Sequence, residues 1–233
     1  MKTLLTIALL FVTTPLWSHG VVPTTVQFYS FANETVPTYD HFVDKKVKHS
    51  IKNYRYCSIG SYILQKKAAK IFPVIEPILN QYGIPDDFKY MLLVESGFGD
   101  GVSSAGAAGP WQLMPSTARL LGLKVRKGSD ERYNLHKSTV AACKYLRDLH
   151  REFKDWSLVA AAYNNGDNKI KRALLKQNQL SYFFLKLNPE TGSYVYKIIA
   201  IKEILEKPSI YGYTKYLIPS VDKTHTFQLT PGA

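Results

Sequence analysis

Apolar residues recur along this chain at helical rather than strand spacing. In the segment that opens with Pro85, Asp86 and Asp87, residues Phe88, Met91, Leu92 and Glu95 fall at i, i+3, i+4 and i+7, so three large apolar groups and one carboxyl share a face. The proline and the two acids suit a helix start, and Gly97 marks the stop. Tyr90, Leu93 and Val94 make the other face apolar too, which predicts a central, buried helix. Ala142, Leu146, Leu149 and Phe153 form a second stripe, and Asp155 is placed to cap "WSLVAAAY", which runs out at Asn164, Asn165 and Gly166. Pro189 opens a last long helix along which Tyr194, Ile198, Ile201 and Leu205 align, and Pro208 ends it.

The flanks are less regular. "SYILQKKAAKIF" and "PVIEPILNQYG" read as a helix pair broken at Pro73, the second member closing at Gly83. Residues 21–54 are polar and poorly periodic and read as an N-terminal arm, lying on the domain or partly free. Beyond Pro208, Tyr211, Tyr213 and Tyr216 belong to a tail over 211–233 that reads as extended or turn-like. The prediction is a mainly α single domain over residues 55–210, without internal repeats.

Composition narrows the setting. With 233 residues, 45% of them hydrophobic, the chain has enough apolar surface for one good core and no more than one domain with extensions. Residues 1–20 carry a lysine near the start, an apolar run from Leu4 to Val12 and then small or polar residues, the layout of a secretory signal peptide. The run is short for a membrane span, so no stable membrane insertion is expected. No cysteine comes closely after it, so no lipid anchor is expected either. The destination is then the periplasm or cell envelope, with release to the medium left open.

A formal charge of +12 is spread along the chain rather than gathered in a block. It fits a solvated basic surface or attraction to an acidic polymer outside the cytoplasm, and with an export signal nucleic acid is not the expected partner. Cys57 and Cys143 could pair in an oxidising compartment, but Cys143 sits in the helical "STVAACKYLRDLHREF", where a small buried thiol is the plainer reading. Cysteine and histidine spacing gives no metal site, and no cofactor is expected.

The candidate chemistry centres on Glu95. A carboxyl on an apolar helix face is costly to ionise, so burial raises its pKa and keeps a proton available near neutral pH, as a general acid requires. A buried structural salt bridge would explain the same residue equally well. The residues C-terminal to Glu95 shift the balance. Gly97, Gly99 and Gly101 lead into "SSAGAAGP", a run of small residues that lets backbone approach a bulky polar ligand. Then comes "WQLMP", in which Trp111, Gln112 and Met114 offer an apolar platform beside an amide, a mixture that suits sugars.

Three segments, "ESGFGDGVSSAGAAGPWQLMPSTA", "AAAYNNG" and "ETGSYVYKIIA", in this order and spacing, resemble the signature segments of the soluble lytic transglycosylase family. The resemblance extends from "IFPVIEPILNQYGIPDDFKYMLLVES" to "AIKEIL". It implies a lysozyme-like fold of the goose type, a helical bundle around a central buried helix that carries the catalytic Glu. Carried over by motif, it makes Glu95 the catalytic acid and base. It sets Ser103 or Ser104 near the reacting sugar, lines the glycan cleft with Gln112 and Met114, completes the cleft floor with Tyr163 and Asn164, and places Tyr194 near Glu95. Met114 and Tyr163 also suit a core, Asn164 a helix stop and Tyr194 its apolar stripe. The segment from Glu95 to Ser103 is one residue shorter than in some members, and no LysM repeat is expected after the domain.

The implied partner is the glycan strand of peptidoglycan, with the protein expected to act as a monomer. The implied reaction cleaves the β-1,4 bond between N-acetylmuramic acid and N-acetylglucosamine and leaves a 1,6-anhydro end, with one carboxyl acting first as acid and then as base. Two alternatives stay open: a hydrolytic muramidase with Asp100 or Asp130 activating water, Glu131 lying beside the latter, and a glycan-binding module without activity.

Overall fold

The computed structural model describes residues 27–55, 58–96 and 102–212. The leader, Cys57, Asp100, Tyr213 and Tyr216 lie outside the described residues. Eight α-helices account for most of the described residues, as the apolar spacing predicts, with two short hairpins and three 3₁₀ turns among them.

A two-residue hairpin comes first, β1 (Ser30–Phe31) against β2 (Glu34–Thr35), with Ser30 opposite Thr35. Its turn residues Ala32 and Asn33 both have positive φ, the geometry that matches the twist of a tight hairpin. The hairpin is pinned from both sides. The amide of Ala32 donates to Asp87 Oδ2 at 2.7 Å, and the Glu34 carboxylate accepts from the amides of Trp156 and Ser157 at the start of a later helix.

Residues 41–55 are not an irregular arm. They form α1 (His41–Arg55), with Asp40 Oδ1 accepting from the amides of Phe42 and Val43 at its start. Val43, Val47, Ser50 and Ile51 make its buried stripe at i, i+4, i+7 and i+8. The lysines between them obscure the period in the sequence, and α1 packs along the last helix of the fold.

Nor is there a break at Pro73. One helix, α2 (Ser58–Gln81), runs through both Pro73 and Pro77. The two prolines stand four residues apart on the exposed face, where water can serve the carbonyls they leave unpaired, while Ile71, Phe72, Ile75, Ile78 and Leu79 bury the other face.

Next is α3 (Phe88–Ser96), in which Phe88 and Tyr90 to Leu93 are all buried. A loop over 102–114 leads to α4 (Pro115–Leu120), then a hairpin of β3 (Val125–Arg126) and β4 (Ser129–Asp130) and a 3₁₀ turn at Glu131–Tyr133. The long α5 (Leu135–Phe153) buries Ala142, Leu146 and Leu149 as its stripe predicts. Asp155 caps α6 (Trp156–Asn165), its carboxylate accepting from the amide of Leu158 at 2.7 Å. After α7 (Asp167–Gln177) and a second 3₁₀ turn (Tyr182–Phe184) comes α8 (Thr191–Glu206), and Pro208 starts a last 3₁₀ turn to Tyr211.

Helix α8 is the element against which α1, α3 and α6 all pack. Its middle, Val195, Ile198, Ile199 and Ala200, is fully buried, because helices flank it on several sides. Helices α3 and α8 run antiparallel: near the start of α3 the Tyr90 hydroxyl donates to Glu206, and near its end Glu95 meets Tyr194. Cys143 is buried and free within α5, its thiol pushed up to about 12 by burial. No described helix is long and apolar enough to cross a membrane.

Candidate active site

The last turn of α3, the last turn of α6, the first half of α8 and the 102–114 loop surround a cleft of about 500 Å³. The eight residues that the motif resemblance assigns to the site all line it: Glu95, Ser103, Ser104, Gln112, Met114, Tyr163, Asn164 and Tyr194. Positions 95, 112, 163 and 194 are far apart in the chain, and it is the packing of α3 and α6 on α8 that brings them together.

Glu95 is half-buried, its carboxyl facing the cleft from the end of an apolar helix. Loss of water is the largest influence on it and pushes its pKa up to about 7. The hydrogen bond from Tyr194 opposes that rise, the charge of Glu190 adds to it, and the ammonium of Lys197 works against it. The Tyr194 hydroxyl donates to Glu95 Oε1, which leaves Oε2 for a proton or a substrate atom. The Tyr194 residue is itself buried, and its own pKa is raised by burial and by the neighbouring carboxylate.

The 102–114 loop is held by its own backbone and by one arginine. Ser103 N donates to Ala107 O and Ser103 Oγ accepts from Ala107 N, both at 2.9 Å, so the Ser103 hydroxyl proton is still available to a ligand. Ser104 also lines the cleft and is exposed. Arg132, 6% exposed, donates through Nη1 to the carbonyls of Gly106 and Leu113 while Nε and Nη2 grip Asp130. Gly109 has φ +78°, and a Cβ there would lie 2.1 Å from the carbonyl oxygen of Arg132, so no larger residue fits.

Gln112, with a positive φ, turns its amide back to Gly109 O at 2.9 Å. Met114 is 39% exposed at the cleft edge. Trp111 departs from expectation. It is fully buried, its indole donating to Thr139 Oγ1 at 2.8 Å, so the platform is left to Met114 and Gln112 while Trp111 anchors the loop to α5. A large ring with one donor is best satisfied inside the core when a threonine hydroxyl waits there. Tyr163 reinforces that anchor by donating to Trp111 O at 2.7 Å.

Asn164 has its amide orientation set from both ends. Thr191 Oγ1 donates to Asn164 Oδ1 at 2.8 Å, and Asn164 Nδ2 donates to Glu190 Oε1 at 3.1 Å. Glu190 and Lys197 also line the cleft, and neither is among the residues singled out from the sequence. Their signal is nonetheless present: 190, 194 and 197 stand at i, i+4 and i+7, so they share the face of α8 that bears Tyr194. Asp130 is committed elsewhere. The Arg132 guanidinium bonded to it holds its carboxyl below the usual range, and it does not line the cleft. Glu131 is likewise bound, to Lys137 at 2.6 Å and to the amide of Lys124. Among the described residues no group of His, Cys, Asp and Glu is arranged to hold a metal ion.

Residues 74–183 match the family model described as the Transglycosylase SLT domain. Over 147 residues the chain is 34% identical to membrane-bound lytic murein transglycosylase D of Escherichia coli (strain K12), an alignment covering 60% of this chain and 32% of that protein. The protein of the same name from Escherichia coli O6:H1 gives the same figures. A protein of Alteromonas sp. (strain M-1) named for tributyltin chloride resistance is 29% identical over 184 residues, 74% of this chain and 86% of that protein. The chain thus spans about a third of the length of the two transglycosylases it matches.

Proposed function

We propose, from the match of residues 74–183 to the transglycosylase SLT domain model, that this chain is a peptidoglycan lytic transglycosylase. The observation that carries the reading is one carboxyl, Glu95, set in a polar cleft with a pKa near 7 and one oxygen already bonded by Tyr194.

The reaction needs a group that gives a proton and then takes one. Protonated Glu95 donates to the glycosidic oxygen between N-acetylmuramic acid and N-acetylglucosamine, and the bond from that oxygen to the muramic anomeric carbon breaks. The carboxylate left behind accepts the proton of the muramic C6 hydroxyl as that oxygen bonds to the anomeric carbon. Glu95 ends as it began, no water is consumed, and the product carries a 1,6-anhydro ring. Because the attacking hydroxyl already belongs to the sugar, the entropy cost of assembling reactants is reduced. A pKa near the working pH suits both halves of this cycle.

The neighbours have consistent tasks in this reading. Tyr194 orients the carboxyl and Lys197 favours its ionised form, while Glu190 favours the protonated form. Ser103 or Ser104, Gln112, Met114, Tyr163 and Asn164 form the walls against the sugars. Residues 1–20 would direct export to the periplasm or envelope, and residues 55–210 would form the catalytic domain with α1 packed on its face.

Glu190 keeps a second reading open, a hydrolytic muramidase in which it activates water. Mass spectrometry of a cell-wall digest separates the two, since anhydro ends are lighter than hydrolysed ends by one water. The expected result is anhydro-muropeptides from the wild type and none from Glu95→Gln. Release at the wild-type rate from that variant would overturn the assignment.

A further inference from the structure

Beside the cleft, α8 turns a second face toward α1. Pro189, Gly192, Ser193 and Tyr196, at i, i+3, i+4 and i+7, form one wall of a groove of about 480 Å³, and Phe42, Lys45, Lys46 and His49 form the other. The groove continues past Ser50 and Ser193 into a depression of about 330 Å³ that reaches Lys197. Lys197 also stands on the wall of the Glu95 cleft. Three hollows therefore lie side by side around the first half of α8, sharing residues at each border. Both walls of the first fall outside residues 74–183, so the family match does not account for it.

Its chemistry is cationic with an apolar edge. Among the described residues no carboxylate lines it. On α1, Asp44 is paired with Lys48 at 2.7 Å and Asp40 caps the helix, so among the described residues neither Lys45 nor Lys46 has an acidic partner. The Lys46 ammonium lies 5.3 Å from the centre of the Tyr196 ring, and Phe42 is 75% exposed. The hydroxyl of Tyr196 is buried with no hydrogen-bond partner among the described residues.

We infer that this groove holds the peptide stem of the peptidoglycan whose sugars occupy the Glu95 cleft, an inference that rests on the function proposed above. The stem is a short peptide with free carboxylates, attached to the same muramic sugar whose C6 hydroxyl closes the ring. It therefore leaves the cleft close to Glu95, and the groove lies around the same helix, within a helix diameter of roughly 10 Å. Lys45 and Lys46 meet the carboxylates, the hydroxyls of Ser50 and Ser193 meet peptide amides, and Phe42 and Leu187 meet the stem's methyl groups. Lys197 stands at the junction, near enough to Glu95 to act on its charge.

Two substrates test this: glycan strands bearing their stems, and strands stripped of stems by an amidase. In Lys45→Glu, a change at an exposed position on α1, the ratio of kcat/KM for stem-bearing over stripped strands is expected to fall on the order of 10-fold, through KM. An unchanged ratio overturns the inference. A second measurement does not depend on catalysis. A free stem tetrapeptide titrated into the wild-type protein is expected to shift the NMR signals of His49 and its α1 neighbours, and to bind more weakly in Lys45→Glu and at higher salt. Absence of binding, or equal binding of a tetrapeptide with its carboxylates amidated, overturns the groove even if strands are cleaved. Charge-dependent binding without release of anhydro products would support the groove and sink the catalytic reading instead.

Discussion

Tyr194 donates its hydroxyl to Glu95 across ninety-nine residues of sequence, from the first turn of α8 to the last turn of α3. The pair sits where antiparallel α3 and α8 meet at the cleft, and Tyr90 and Glu206 tie the same two helices at their other ends. Two fastenings on one helix pair fix the direction in which the carboxyl points. Its charge state is then set by what surrounds it, and that can be measured.

Tyr194→Phe removes the bond that lowers the Glu95 pKa, so the alkaline limb of the pH profile of kcat/KM should move to higher pH. The rate at the optimum should fall about 10- to 100-fold, the weight of one hydrogen bond to a charged group. A limb that stays in place would show that the bond has no hold on the carboxyl.

Glu190 and Lys197 act on Glu95 with opposite signs. Glu190→Gln should move the alkaline limb to lower pH, and Lys197→Met should move it to higher pH. Shifts in a common direction would refute this account of the cleft. The same pH–rate measurement on both variants decides it.

Burial of Glu95 also has a consequence for stability. The folded chain keeps its proton to about pH 7, while the unfolded chain releases it near the ordinary carboxylate value. The stability this contributes is complete below the unfolded value and is lost as pH rises through about 7. Glu95→Gln should therefore match the wild type near the acid end and exceed it in mildly alkaline solution, by up to roughly 3 kcal/mol. Denaturant unfolding across pH checks this, and a difference that does not vary with pH would count against it.

The loop depends on Arg132 and Gly109. Arg132→Met removes the guanidinium that serves the carbonyls of Gly106 and Leu113 and the carboxylate of Asp130, leaving the last two only the backbone amides of Ala108 and residue 132, at a cost of about 3 kcal/mol. Gly109→Ala forces a Cβ against the Arg132 carbonyl and should destabilise by at least about 2 kcal/mol. Cell-wall digestion should fall in both variants, since Ser103, Ser104, Gln112 and Met114 all ride on that loop. Thermal melting and digestion together test the pair, and an unshifted melting midpoint in either would contradict the packing described.

Much of the fold was legible because its helices declare themselves locally. A stripe such as Ala142, Leu146 and Leu149 shows its buried side in the sequence, and Asp155 caps α6 through a contact only three residues long. Where apolar spacing was interrupted, the reading failed. Lysines hid the stripe of α1, and Pro73 imitated a break because nothing in the sequence says that it faces water.

The cleft divides along the same line. By its own order of residues the chain determined a carboxyl at the end of an apolar helix and a small-residue loop after it, and the resemblance of its motifs added Tyr163, Asn164 and Tyr194. Only the tertiary structure decided that Trp111 is an anchor rather than a platform, that Asp130 belongs to Arg132, and that Glu190 and Lys197 set opposing charges beside Glu95. The reason is physical: spacing along a helix reveals which side chains share a face, but a pKa depends on solvent lost and charges gained from elements distant in the chain, and those distances exist only once α3, α6 and α8 have packed.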